Sequence, residues 1–128
     1  MIENVSKETL EIILDSLPVE FSFIDDTDTV RIFNKNGDRI FPRTRSVIGR
    51  RVQDCHPSKS LHKVQQIIDE MKADNRDLAE FWIDHKGMKV YIRYFAVRSK
   101  DGKYLGCLEV SQDIAEIQKI KGEKRLLT

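Results

Sequence analysis

Two histidine-bearing segments hold the side chains best suited to chemistry. In Cys55-His56-Pro57 an adjacent thiol and imidazole can offer a thiolate or a ring nitrogen to a metal. Pro57 suits the first position of a helix, and a helix N-terminus beside Cys55 would lower its thiol pKa. The ordinary reading of the same pair is a small buried hydrophobe beside a helix cap. Further on, His62 adjoins the apolar residues Leu61 and Val64. Its imidazole is either a metal-ligating group on an apolar face or a surface histidine in the first turns of a helix. Asp25-Asp26-Thr27-Asp28 is acidic enough to suggest calcium, but it lacks the glycine and distal glutamate of a calcium loop and reads better as a hairpin turn. Arg43, Arg45, Arg50, Arg51 and Lys59 form a basic cluster that can meet a carboxylate or simply face water.

Other chemistries lack their residues. Four ligands at finger or ribbon spacing are missing, which argues against zinc. No nucleophile–base pair, paired catalytic carboxylates or glycine-rich phosphate loop is visible, so the chain is expected to bind rather than catalyse.

The elements that must position these side chains follow from pattern. At 128 residues the chain fits one domain with a core of its own. Lys plus Arg is 22 against 21 acidic residues, which gives no basic excess for a nucleic acid. Cys55 and Cys107 make neither a disulfide framework nor a CxxC pair, and a cytoplasmic, reducing compartment is expected. No apolar run is long enough to span a membrane.

Ser6 caps a first helix whose apolar stripe is Leu10, Ile13, Leu14 and Leu17, with Pro18 ending it. Val19–Ile24 and Thr29–Asn34 read as strands of a hairpin. Short helices and loops follow, punctuated by Phe41-Pro42 and Ile48-Gly49. A longer helix then starts at Pro57-Ser58, with Leu61, Val64, Ile67, Ile68 and Met71 as its stripe. Three strands close the pattern: Leu78–Asp84, Lys89–Val97 and Tyr104–Ser111, the last pair joined at Asp101-Gly102, a hairpin-turn dipeptide. Ile114, Ile117 and Ile120 begin a second helical stripe. The order predicts an α+β fold: a five-stranded antiparallel sheet with short helices and one longer helix on one face, flanked by terminal helices. The expected divisions are an N-terminal flanking helix over 1–17, a core over 18–113 and an exit helix or linker over 114–128. The ends read as linkers to neighbouring domains.

This order resembles the PAS fold, and local motifs agree. Leu14-Asp15-Ser16-Leu17-Pro18 is similar to the PAS helix-to-strand entry, and Asn34 stands where PAS domains often place an asparagine. Ile48-Gly49-Arg50 is similar to their hydrophobic-Gly-Arg/Lys step. Gly106–Ile114 resembles their last strand with its terminal Asp-Ile-Thr, although Ala115 stands where that motif has threonine. The resemblance covers residues 8 to 117. More narrowly, Asp54–Ser60 and Ala79–Ile83 resemble the C-terminal PAS module of bacterial proteins that carry a hemerythrin-like helical domain.

The resemblance implies a sensory module with a ligand held between the sheet and the longer helix. Candidate walls are Phe21, Phe23, Ile32, Phe33, Phe41 and Leu61, with Val64, Trp82, Ile92 and Tyr94. His62, His56 and Cys55 are candidate cofactor-binding residues. The spacing Pro57-to-His62 is similar to that of heme-binding oxygen sensors, which makes His62 the candidate heme iron ligand. The resemblance also implies a homodimer paired through its flanks, with a neighbouring signalling or hemerythrin-like domain, while the charge balance and the lack of a long apolar run lead us to expect neither nucleic acid nor membrane as a partner. The alternative is a ligand-free protein–protein interaction module with a filled core.

Overall fold

The computed structural model describes residues 1–35, 37–54 and 58–127, apart from the side chains at 58 and 59. Its elements are α1 (Lys7–Asp15), β1 (Glu20–Asp25), β2 (Val30–Phe33), two 3₁₀ turns (Arg45–Val47 and Val52–Asp54), α2 (Ser58–Lys72), β3 (Leu78–His85), β4 (Met88–Arg98), β5 (Tyr104–Asp113) and a last 3₁₀ turn (Ile117–Lys119). The strands form one antiparallel sheet in the order β2-β1-β5-β4-β3. This is the α+β architecture expected from the pattern, with the two-strand and three-strand groups joined where β1 pairs with β5.

Local chemistry sets the element ends. Ser6 Oγ accepts the Thr9 amide at 3.0 Å and caps α1. The acidic turn after β1 is a hydrogen-bonded hairpin turn. Asp25 Oδ1 accepts the Thr27 amide and hydroxyl and the Thr29 amide, while Oδ2 accepts Arg31 Nε. Burial alone would raise the Asp25 pKa, but these donors outweigh it and hold the carboxyl well below the usual range. Asp101-Gly102 lies in the tight turn between β4 and β5, with Gly102 at φ +83° and its amide on Ser99 O at 2.9 Å. The Ile48-Gly49-Arg50 step runs along the outer edge of β2: Gly49 N donates to Val30 O, and Val30 N donates to Arg50 O.

The core lies between α2 and one face of the sheet. Val64, Ile68 and Met71 repeat at helical spacing and pack against Val90, Ile92, Tyr94, Ile24 and Cys107. Arg98 clamps the far end of α2 to β4. Its Nη2 donates to Met71 O at 2.8 Å, its Nε to Asp77 at 2.9 Å, and its Nη1 pairs with Asp74 at 2.8 Å. These bonds satisfy an orphan carbonyl of the last helical turn and place a cation at the negative end of the helix.

Two expectations are corrected. α1 stops at Asp15 rather than Leu17, and it buries no residue. The segment over 114–128, expected as an exit helix or linker, holds one 3₁₀ turn, Ile117–Lys119, and no α-helix among its described residues. Ile114, Ile117 and Ile120 recur every three residues, which matches a 3₁₀ turn as well as one helical face. Such a short segment does not hold an α-helix without packing, and Ile117 and Ile120 are exposed. Gly122 then turns the chain at φ +64°.

One glycine is required by close approach. A Cβ on Gly106 would lie 2.1 Å from Ile24 O and 2.6 Å from the Phe23 ring, where β1 and β5 pair. Gly106→Ala is therefore expected to destabilise the domain by about 2 kcal/mol or more. Urea unfolding checks this, and a midpoint equal to wild type would show that the two strands separate without cost.

Candidate functional site

Strand alternation divides the inner face of the sheet into an apolar half and a polar half. One row across the sheet runs Phe81, Ile92, Ser111, Glu20; the next runs Ala79, Tyr94, Glu109, Ser22. The β3–β4 side thus presents hydrophobic and aromatic groups, and the β5–β1 side presents hydroxyls and carboxylates.

A cavity of about 710 Å³ opens between this face and α2. That lies within the roughly 300–1,000 Å³ of small-molecule sites. Phe81, Ile83 and Ile92 form its floor, Val64 and Ile67 its helical wall, and Phe41 with Pro42 a third side. Arg43, Glu109 and Tyr94 stand at its polar end, and Ser60 and Lys63 line it from α2. Arg43, Glu109, Tyr94 and Val64 also border a small inner chamber of about 20 Å³, which Cys107 helps to close. Burial, and then the nearby Glu109, push the Cys107 thiol up to about 12, so it stays neutral and serves as a small apolar wall. Burial likewise raises the Tyr94 hydroxyl, which remains protonated.

The loop that carries Phe41, Pro42 and Arg43 is held by a buried ion pair. Arg39 Nη2 lies 3.3 Å from Glu20 Oε2, with the two side chains only 4% and 3% exposed. Glu20 accepts the amides of Ile40 at 2.6 Å and Phe41 at 3.2 Å. Arg39 donates to the carbonyls of Phe41, Phe21 and Asn34. Asn34 extends the network: its Oδ1 accepts the Phe21 amide, and its Nδ2 donates to Leu14 O and Val19 O. The asparagine therefore joins the end of α1 to the β1–β2 hairpin. Next to it, Arg43 Nη2 faces Glu109 Oε2 at 3.6 Å.

Of the expected walls, Phe41, Val64, Ile92 and Tyr94 line the cavity. Phe21 and Phe23 do not, because β1 turns Glu20, Ser22 and Ile24 inward and leaves its phenylalanines half-buried on the other face. Trp82 is 63% exposed, on the opposite face from Phe81 and Ile83. Leu61, Ile32 and Phe33 also stand off the cavity. Phe33 instead carries the Arg39 guanidinium 5.5 Å above its ring.

His62 requires a larger correction. It is exposed and shares a shallow outer groove with Gln65, Gln66 and Asp69. Two residues before Val64 is about 200° around the helix, so His62 belongs to the polar stripe. Gln65, Gln66 and Asp69, at the third, fourth and seventh positions after it, were the legible signal. No histidine is among the described residues that line the cavity, so a porphyrin ligated by His62 does not fit this arrangement. Among the described residues no group of three histidine, cysteine or acidic side chains could hold a metal ion. Cys55 and His56 lie outside the described residues. Glu20 and Arg39, which hold the site together, were missed because a glutamate and an arginine nineteen positions apart carry no spacing signal.

A PAS domain family model matches residues 10–115. The chain belongs to the PAS domain family. The C-terminal domain of a Streptococcus mutans protein is 33% identical, with 94% of this chain and 96% of that one aligned at a TM-score of 0.85. A PAS domain from Colwellia psychrerythraea shares the fold at 14% identity, with a TM-score of 0.60 over 85% of this chain and 97% of that one. A sensory box sensor histidine kinase from Vibrio cholerae shares it at 16% identity, with a TM-score of 0.58 over 81% and 87%. No curated protein matches the sequence. Among the described residues no helix of this PAS domain is long and apolar enough to cross a membrane.

The buried pair gives the site its test. Glu20→Gln leaves Arg39 without its counter-charge in an enclosed position and is expected to cost about 3 kcal/mol. Glu123→Gln, at a fully solvated pair, is expected to stay within about 0.5 kcal/mol of wild type. Chemical unfolding measures both, and equal midpoints would remove the pair from its organising role.

Proposed function

We propose that this PAS domain is a sensory module that takes a small molecule between its sheet and α2 and works as a homodimer, without catalysing a reaction. The observation that supports ligand binding is the cavity itself. Its walls are apolar, it is large enough for a small organic molecule, and a few polar groups converge at one end. A filled core, as a pure interaction module would have, offers no such space. The reading has no place for a heme held by His62, and the purified protein is expected to show no Soret band.

Two surfaces support pairing. α1 buries none of its residues, and Ile12 and Ile13 are 59% and 48% exposed. The outer face of the sheet presents Trp82 beside Tyr91, and Phe21, Phe23 and Phe95 stand only half-buried there. A second copy is the occupant we assign to α1, since two-fold pairing of identical surfaces is the commonest assembly. Input at the cavity and output through the flanks would give the module its sensory role. Its resemblance to PAS modules of hemerythrin-like-domain proteins supports a place beside another sensory or signalling domain.

Each half has its own experiment. The neutral fluorescent probe N-phenyl-1-naphthylamine is expected to bind wild type, and Ile67→Trp, which fills the cavity, is expected to weaken it by about tenfold with the fold retained. Undiminished binding to that variant would place the probe elsewhere. For pairing, light scattering at micromolar concentration is expected to give a dimer mass that Ile13→Glu reduces to the monomer. A monomeric wild type would refute the α1 interface.

A further inference from the structure

Among the described residues, the polar end of the cavity holds donors and an acceptor that make no hydrogen bond. Arg43 and Glu109 are only 13% and 20% exposed, yet they approach no closer than 3.6 Å, beyond hydrogen-bond length. Arg43 Nε is buried without a partner. Among the described residues neither side chain makes a hydrogen bond, and the Tyr94 hydroxyl makes none either. A guanidinium carries five N–H donors and a carboxylate about four acceptor sites, and leaving them idle in an enclosed place is costly. The adjacent Arg39–Glu20 pair, by contrast, is fully engaged with backbone and side-chain partners.

Charge decides what can sit there. The two guanidiniums of Arg39 and Arg43 are matched by the two carboxylates of Glu20 and Glu109, so the polar end is neutral, and Lys63, the further charge on the lining, is exposed on α2 where water screens it. An anionic ligand would place a second carboxylate beside Glu109, and a cationic one a second positive charge beside Arg43. Both arrangements are unfavourable beside side chains as little exposed as Arg43 and Glu109. A neutral head with a hydrogen-bond acceptor next to a donor meets neither objection. Its acceptor takes an Arg43 N–H and its donor gives to Glu109. The rest of the molecule is mainly apolar, because Phe81, Ile83, Ile92, Val64 and Ile67 offer it no polar partner and only Ser60 and Lys63 meet it with polar groups from α2.

We propose that the cavity selects uncharged amphiphiles with an amide-like head, an adjacent donor and acceptor read by Glu109 and Arg43, on an apolar or aromatic body. The proposal rests on the small-molecule reading of the same cavity and adds the ligand class to it.

Three probes of one shape test the class: 3-phenylpropanamide, 3-phenylpropanoate and propylbenzene, titrated into the whole domain and followed by amide chemical shifts of Phe81, Ile92 and Tyr94. The amide is expected to bind about tenfold more tightly than either of the others. Arg43→Met is expected to bring the amide down to the level of propylbenzene. Glu109→Gln leaves Arg43 uncompensated and is expected to invert the order, with 3-phenylpropanoate becoming the tightest. A wild type that prefers 3-phenylpropanoate overturns the head-group assignment. So do equal affinities for all three that ignore both substitutions, and in both cases the cavity remains a ligand site. If none of the three binds, the small-molecule reading falls and the assignment with it. The wild-type ranking needs no variant, so it decides the matter even if one substitution unfolds the domain.

Discussion

The Glu20–Arg39 ion pair is the constraint on which the rest of the structure turns. Burying two opposite charges is unfavourable unless every remaining donor and acceptor is occupied. Here the carboxylate takes two loop amides and the guanidinium reaches three carbonyls. The pair therefore behaves as a covalent-like hub that fixes the first strand of the sheet, the end of β2 and the loop at Phe41 relative to one another. Without it, Phe41, Pro42 and Arg43 would have no reason to lie over the sheet, and the cavity would lose one wall.

The same pair explains why β1 faces as it does. A one-residue slip of a strand exchanges its two faces. Hydrophobic accounting alone would turn Phe21 and Phe23 inward. Asn34, however, holds the Phe21 amide, and Arg39 holds the Phe21 carbonyl. These bonds fix β1 in the register that turns Glu20 and Ser22 to the inner face of the sheet. A polar inner edge follows directly, and it leaves phenylalanines half-exposed on the opposite face. The polar inner face of β1 and its half-buried phenylalanines on the outer face thus have one cause.

The fold was readable from the sequence because its signals are local and periodic. The Asp101-Gly102 turn, the Val64–Ile68–Met71 stripe and the three closing strands each depend on neighbours within a few positions. The candidate site was only half readable. Val64, Tyr94, Phe41 and Ile92 were identified by hydrophobicity, whereas Phe23, Phe33, Leu61 and Trp82 satisfied the same criterion and point elsewhere. Which face a strand residue occupies is decided by register, and register here depends on contacts between positions far apart in the chain. His62 shows the converse: its helical position was legible, since the glutamines that follow mark its stripe as polar. Weight on a single imidazole beside Leu61 concealed that pattern. Arg43 and Glu109 are separated by most of the domain, and only the tertiary fold brings them together.

The two ion pairs at the β5–β1 edge differ in a way that separates structure from recognition. Arg39 and Glu20 are saturated, with each charge tied to backbone groups on two or more segments, so no ligand can compete for them without dismantling the loop. Arg43 and Glu109 are merely adjacent, at 3.6 Å and with no backbone ties among the described residues. Glu109 lies on β5, four residues before Asp113, whose carboxylate accepts the amides of Lys89 and Ala115 at the point where the chain leaves the sheet. Four strand residues span about 13 Å. Glu109, a charged group on the cavity lining, is thus carried by the same strand whose end anchors the exit segment. For the proposed sensory role, that is where an adjustable contact has the shortest path out of the sheet.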